Sequence, residues 1–239
     1  MENFDKKYWA QRAGQYNKTN WVRDEDFLAA FVNLLPHKNF DKVLEAGIGT
    51  GVVAEKMAEI FGEITGVDIS ADMIKNINHP KINAEVGDLH NLPFQNGEFD
   101  LIYMRNVIHY LHNPAMVFQQ ISRCLTKEGY FLFSQVIPPD DSISDEYDYL
   151  VGRDIHYPTQ REILDLYSIF ENVEFSHFIL KRQSIMNWLN NTCENDNQKQ
   201  IIIQRHEETS TEYKRLANYQ ETEEDILVDI KHLMLLGRK

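Results

Sequence analysis

The sequence predicts an α/β fold built on a mostly parallel sheet. Two observations carry that expectation. Between residues 42 and 134 short apolar strands alternate with amphipathic helical stretches, and the first strand runs into three glycines at alternate positions. Strands that are apolar throughout and separated by helices imply a parallel sheet covered on both faces. At 239 residues the chain can bury a core without disulfides or metals. Its 43% apolar and 26% charged residues are an ordinary globular balance.

The elements follow in order. Residues 24–35 read as a helix: Asp24 can cap it, Phe27, Leu28, Phe31, Leu34 and Leu35 share a face, and Pro36 stops it. Residues 42–46 are a strand, 52–61 a helix closed by Gly62, 63–68 a second strand, and 70–77 a helix capped by Ser70. Residues 82–86 and 99–104 are further strands, and a helix over 114–125 has Asn113 as its cap and Pro114 in its first turn. A turn over 125–129 then leads to a fifth strand, 130–134.

Beyond residue 135 the rhythm changes. Residues 138–141 read as a loop, and the acidic residues 137–148 as a mobile segment. Thr159 and Glu162 form a capping box for a helix reaching about residue 169. Alternation over 173–181 and 226–236 gives two last strands, with a polar, helix-rich insertion at 184–220 between them. The expected organisation is one domain over 1–239, with 1–23 as an N-terminal lid rich in aromatics (Tyr8, Trp9, Tyr16, Trp21).

Charge narrows the function. There are 24 basic against 37 acidic residues, a net charge of −13. That balance disfavours a large phosphate-backbone footprint and so a nucleic-acid partner. It suits a small neutral or cationic ligand. Cys124 and Cys193 make no metal-ligand spacing and are read as free thiols. No stretch is apolar enough to span a membrane, and residues 1–9 do not resemble a signal peptide, so a cytoplasmic setting is expected.

The informative stretch is Gly47-Ile48-Gly49-Thr50-Gly51 between the first strand and its helix. Glycines there allow a sharp turn and close approach of a ligand to the backbone. The spacing is not the Gly-x-Gly-x-x-Gly of a dinucleotide loop, because Val52 stands at the third position, and no Gly-Lys-Ser/Thr follows. Three acids sit at successive strand ends. Glu45 precedes the loop, Asp68 ends the second strand, and Asp88 follows the third. All fall on the carboxyl edge of the sheet, where α/β ligands bind. Asp68 can accept bonds from two ribose hydroxyls, and Asp88 from an amino group such as that of adenine.

These residues resemble the class I S-adenosylmethionine (SAM)-dependent methyltransferases, most nearly the ubiquinone/menaquinone-biosynthesis methyltransferase-like group. The resemblance covers residues 40–134. It is carried by the glycine loop, Gly66-Val67-Asp68-Ile69-Ser70 with Asp72 and Met73, Gly87-Asp88-Leu89, Pro93-Phe94, Phe99-Asp100, segment 105–114 and the 125–129 turn. It implies a Rossmann-like seven-stranded, mostly parallel sheet with an antiparallel C-terminal strand and a helical insertion before it. It also implies transfer of the sulfonium methyl group to an O, N or C atom of a small molecule, with S-adenosylhomocysteine as product and no metal. Carried over residue by residue, Glu45 and the backbone of Gly47, Gly49 and Gly51 hold the methionine portion. Asp68 holds the ribose, Ile69 and Met73 sandwich the adenine, and Asp88 and Leu89 meet its edge. Tyr16 reaches the cofactor carboxylate. Arg105 pairs either with that carboxylate or with a nearby acid.

The chain departs from the family pattern at Gly129, where relatives often have two glycines, and at 184–220, where the pattern gives no guidance. His109 is the candidate general base, because imidazole titrates near neutrality; the alternative is a packing histidine. Tyr110, His112, His156 and Tyr157 are further polar candidates, and residues 136–157 and 184–220 are expected on the acceptor side. Other alkyl-transfer chemistry and a non-catalytic SAM-binding module are the competing readings. A monomer or homodimer is expected.

Overall fold

The computed structural model describes residues 9, 12–14, 16–152, 154–193 and 195–239. Eight strands lie in one sheet: β1 (Val43–Ala46), β2 (Ile64–Asp68), β3 (Ile82–Val86), β4 (Phe99–Arg105), β5 (Leu125–Val136), β6 (Glu171–Ser184), the two-residue β7 (Gln220–Glu221) and β8 (Ile226–Arg238). Their order is β3-β2-β1-β4-β5-β8-β6, with β7 on β8. β1 to β5 pair in parallel, and β8 runs antiparallel to both β5 and β6. The Rossmann-like expectation is met, with β7 added. The chain works outward from β1 to β3 and then returns to β4 on the other side of β1. That reversal opens a crevice at the carboxyl ends of the strands.

Period-two alternation divides the core. In β5, Phe131 and Phe133 face one side and Leu132 the other, all fully buried. Helices α1 (Glu25–Val32) and α2 (Val52–Phe61) cover the Leu132 side through Phe27, Phe31, Val53 and Met57. After the short α3 (Ala71–Ile74), helix α4 (Pro114–Cys124) covers the Phe131 side through Val117, Phe118 and Ile121. The chain continues through α5 (Ser144–Val151) and α6 (Gln160–Tyr167), whose Ile163 and Tyr167 join α4 on that side. The predicted caps are present: Asp24, Ser70 and Asn113 each accept from the backbone N–H three residues on, and Thr159 and Glu162 close a reciprocal box.

The 184–220 insertion is helical, as expected: α7 (Ile185–Thr192), α8 (Asp196–Glu207) and α9 (Thr211–Leu216). With α5 these helices build a third apolar cluster from Leu150, Trp188, Leu189, Ile202 and Tyr213. Among the described residues no helix is long and apolar enough to cross a membrane, and Cys124 and Cys193 form no disulfide.

Three elements differ from expectation. The helix expected over 70–77 ends at Ile74, because Asn76, Asn78 and Pro80 crowd the next turn with helix breakers. The turn expected over 125–129 is part of β5. Leu125 already pairs with Phe99, and Lys239 donates its N–H to the Gly129 carbonyl and its ammonium to that of Leu125. The polar pair Lys127-Glu128 hides that strand from a periodicity reading. Finally, the acidic segment 137–148 is ordered: Ile137 is fully buried and α5 begins at Ser144. Asp145 and Glu146 sit in its first turn, where carboxylates favour a helix N-terminus.

A candidate cofactor and acceptor cleft

The glycine loop is held open by its own backbone. Gly47, Gly49 and Gly51 take φ of 80°, 54° and 82°, a region other residues adopt only at a cost. The N–H groups of Gly47 and Ile48 donate to the Val67 carbonyl at 2.8 and 3.0 Å, pinning the loop against β2. Asp68 is fixed from both sides. It accepts from the Gly49 N–H at 2.8 Å and from the Ser70 N–H at 3.0 Å. Burial pushes its carboxyl above the ordinary aspartate value, against the pull of those N–H bonds.

A cleft of about 1750 Å³ opens beside this edge. Its lining brings together Gly47, Gly49, Asp68, Ile69, Met73, Asp88, Leu89, Arg105 and His109, nine of the residues the sequence singles out. Met73 lies beneath the loop, its methyl group 3.4 Å from where a Cβ on Gly49 would stand. Asp88 accepts from the backbone N–H and the Nδ1 of His90, at 2.9 and 2.7 Å. Burial acts to raise the Asp88 carboxyl, but these His90 bonds hold it below the ordinary range. The His90 ring stacks on His112 with centroids 3.8 Å apart. Sequence reading missed His90; its position two after Asp88 is the one signal that points to it.

Other expected residues sit differently. Glu45 lines a smaller adjoining cavity of about 50 Å³ with Trp21, Thr50 and Arg105. Gly51 lines neither cavity and serves as the N-cap of α2. The Tyr16 side chain lies outside the described residues, as do residues 1–8 of the expected lid. Trp9 does line the cleft, edge-on to Tyr110 at 4.7 Å. The Arg105 guanidinium donates to the carbonyls of Val22 and Trp21 at 2.9 and 3.0 Å and lies 4.0 Å over the Phe27 ring. It thereby fastens the turn Asn20–Arg23 beside the loop.

Glu45 is 3% exposed and accepts from the Tyr103 hydroxyl at 3.0 Å. Burial holds its carboxyl well above the usual range, with Tyr103 and Arg105 opposing and Asp68 adding to the rise. An acid raised by folding loses stability as pH climbs from its unfolded value through its folded one. Glu45→Gln removes that loss, since an amide still accepts from Tyr103. The expected outcome is a variant more stable in urea at neutral pH by on the order of 1 kcal/mol, with the gain vanishing below the unfolded carboxylate range. Its affinity for a cationic ligand falls.

The far wall carries a three-membered ion bridge. His156 meets Asp148 through Nδ1 at 2.6 Å and Glu162 through Nε2 at 3.0 Å, while Glu162 also accepts from the Thr159 N–H. Burial opposes the charged ring, but the two carboxylates win and raise its pKa. A raised histidine stabilises fully below its unfolded pKa and loses that contribution as pH rises through the folded one. His156→Gln is therefore expected to lower stability by about 1 kcal/mol near about pH 6, kept small by solvent around a half-exposed ring, and by nothing near about pH 9. Denaturant midpoints at the two pH values check it. Among the described residues no group of three acids, histidines or cysteines is arranged to hold a metal.

Residues 44–133 match a family model described as a methyltransferase domain. Over that stretch the chain carries a methyltransferase domain. The chain is 24% identical over 190 residues to a malonyl-[acyl-carrier protein] O-methyltransferase of Legionella pneumophila, covering 75% of this chain and 65% of that protein. It is 33% identical over 113 residues to the demethylmenaquinone methyltransferase of Thermotoga maritima, covering 46% of this chain and 49% of that one. The methyltransferase match thus spans about half to two-thirds of those relatives' lengths. Among solved structures, the YcgJ protein from Bacillus subtilis superposes with a TM-score of 0.76 at 18% identity, over 89% of this chain and 97% of its own. A phosphoethanolamine N-methyltransferase of Haemonchus contortus in complex with SAM gives 0.62 at 15% identity, over 92% and 56%. Both show the shared fold.

The methyltransferase cleft fits a cationic nucleoside on its own terms. The loop leaves backbone where a Cβ on Gly47 would stand 2.5 Å from Val107. Asp68 and Asp88 line the cleft, and the buried Glu45 lies behind the loop.

Proposed function

We propose that this chain moves the sulfonium methyl group of SAM to an O, N or C atom of a small-molecule acceptor. The observation that carries the reading is Asp68: a carboxylate locked by two backbone N–H groups beside a positive-φ glycine loop, on the wall of a cleft of about 1750 Å³. Ligand pockets commonly measure about 300–1,000 Å³, so this one has room for an acceptor beside the cofactor. Asp68 takes the ribose hydroxyls, Ile69 and Met73 flank the adenine, and Asp88 and Leu89 meet its edge. Glu45 and the loop backbone hold the methionine end, with Tyr16 at its carboxylate. Arg105 acts on that end through the turn it fastens.

Bound SAM supplies a methyl carbon on a cationic sulfur, which keeps the electron pair of the broken bond. The chain's own work is alignment and exclusion of water, and positioning of this kind supplies about 7–11 kcal/mol. Trp9, Tyr110 and Tyr149 wall the acceptor half of the cleft, with Asp148 and Asp165 beside them. The two relatives are named for different acceptors, malonyl-[acyl-carrier protein] and demethylmenaquinone, which fits a common cofactor half and a variable acceptor half. We read the chain as one domain acting in the cytoplasm, with residues 1–23 as a lid and 136–157 and 184–220 on the acceptor side. The test is incubation with methyl-labelled SAM and fractionated metabolite pools, with mass detection of products. A labelled product with release of S-adenosylhomocysteine is expected. Tight SAM binding without consumption in any pool would instead mark a non-catalytic module.

A further inference from the structure

We infer that Gln135 fixes the His109 ring as a hydrogen-bond donor through Nε2, so that His109 serves the acceptor as a donor and not as a base. Gln135 is wholly buried in β5. Its amide nitrogen lies 3.0 Å from the Val136 carbonyl and 2.8 Å from His109 Nδ1. An amide nitrogen has two hydrogens and no lone pair to share. One hydrogen goes to the carbonyl and the other to the imidazole. Nδ1 must therefore accept, and in the neutral ring the proton stands on Nε2. Turning the amide over would set its oxygen against the Val136 carbonyl oxygen at 3.0 Å, which repels, so the peptide carbonyl dictates the orientation.

The rest of the surroundings hold the ring in place. His109 stacks on Tyr157 with centroids 4.6 Å apart and planes 18° from parallel, and Tyr110 lies against it at 3.9 Å. Tyr157 belongs to the cluster built with the helical insertion, so α5 and α7–α9 support this wall of the cleft. The Asn106 side chain accepts from the Val136 N–H at 2.9 Å and steadies the strand end that carries the amide.

The consequence for the acceptor rests on the methyl-transfer reading above. A donor in the cleft holds one lone pair of an oxygen and orients the others. It suits an acceptor whose attacked oxygen arrives without a proton to lose and keeps a further lone pair for the methyl carbon, such as a carboxylate or an enolate. Gln135 is the positioning residue and His109 the group that touches the acceptor.

The test reads the tautomer directly. Two-bond ¹H–¹⁵N correlation spectra of the uniformly labelled chain, with His109 assigned by its loss in His109→Gln, are expected to show Nδ1 bare and Nε2 protonated. Gln135→Glu replaces the donor with an acceptor, and the proton is expected to appear on Nδ1. Should that buried carboxylate prevent folding, Gln135→Met removes the donor alone, and the Nδ1 resonance is expected to move as its hydrogen bond is lost. A proton on Nδ1 in the unaltered chain, or His109 signals unchanged by every folded Gln135 variant, overturns the inference. Titrating S-adenosylhomocysteine into the same samples separates the two readings. Absent binding sinks the methyltransferase function and leaves the tautomer result standing, whereas normal binding with Nδ1 protonated sinks the donor assignment alone.

Discussion

Replacing Asp68 with alanine is expected to weaken S-adenosylhomocysteine binding by about 10- to 150-fold, or roughly 1.5–3 kcal/mol, measured by calorimetry. The size follows from what the carboxylate does. It is a charged acceptor whose geometry is set by the Gly49 and Ser70 N–H groups. Losing it removes the bonds to the ribose and also releases the loop N–H that the carboxylate restrains. Asp68→Asn keeps an acceptor oxygen without the charge and should fall between. Burial already raises the Asp68 carboxyl, so neither variant is expected to destabilise the ligand-free chain strongly. Unaltered affinity in the alanine variant would remove Asp68 from the site.

Gly47→Ala is expected to be the most damaging single-atom addition in the loop. The new Cβ would stand 2.5 Å from Val107 Cγ2 and 3.3 Å from Cγ1, at a φ of 80°. Val107 is β-branched and cannot turn aside cheaply. A left-handed conformation costs about 1–2 kcal/mol, and overpacking adds about 1–3 kcal/mol. A loss of roughly 2–5 kcal/mol in unfolding free energy should accompany loss of cofactor binding, because both Gly47 and Val107 line the cleft. By contrast, a Cβ on Gly62 meets nothing within 4 Å. Gly62→Ala should carry only the backbone term of its φ of 86° and leave binding intact.

What the sequence disclosed, and what it did not, follows from the range of the forces involved. Caps at Asp24, Ser70, Asn113 and Thr159 act over three residues, so the pattern shows them directly. The carboxyl-edge acids are spaced by strand and helix lengths, and their convergence is readable once the sheet is taken as parallel. Gln135 is different. It sits next to the end of β5, between Ser134 and Val136, and its importance comes from a contact 26 residues away in the chain. The bridge of His156 to Asp148 and Glu162 ties the segment between α5 and α6 to a residue of each helix, a link that no local periodicity encodes. Residues 137–148 misled because charge suggests mobility, whereas Asp145 and Glu146 favour the N-terminus of α5 and Ile137 is buried.

The most direct examination is a crystal structure of the chain grown with S-adenosylhomocysteine. The ribose hydroxyls should lie within hydrogen-bond distance of the Asp68 carboxylate, the adenine between Ile69 and Met73, and the homocysteine end against the glycine loop near Glu45. A nucleoside seated elsewhere, or Glu45, Asp68 and Asp88 turned from it, would contradict the account at its root.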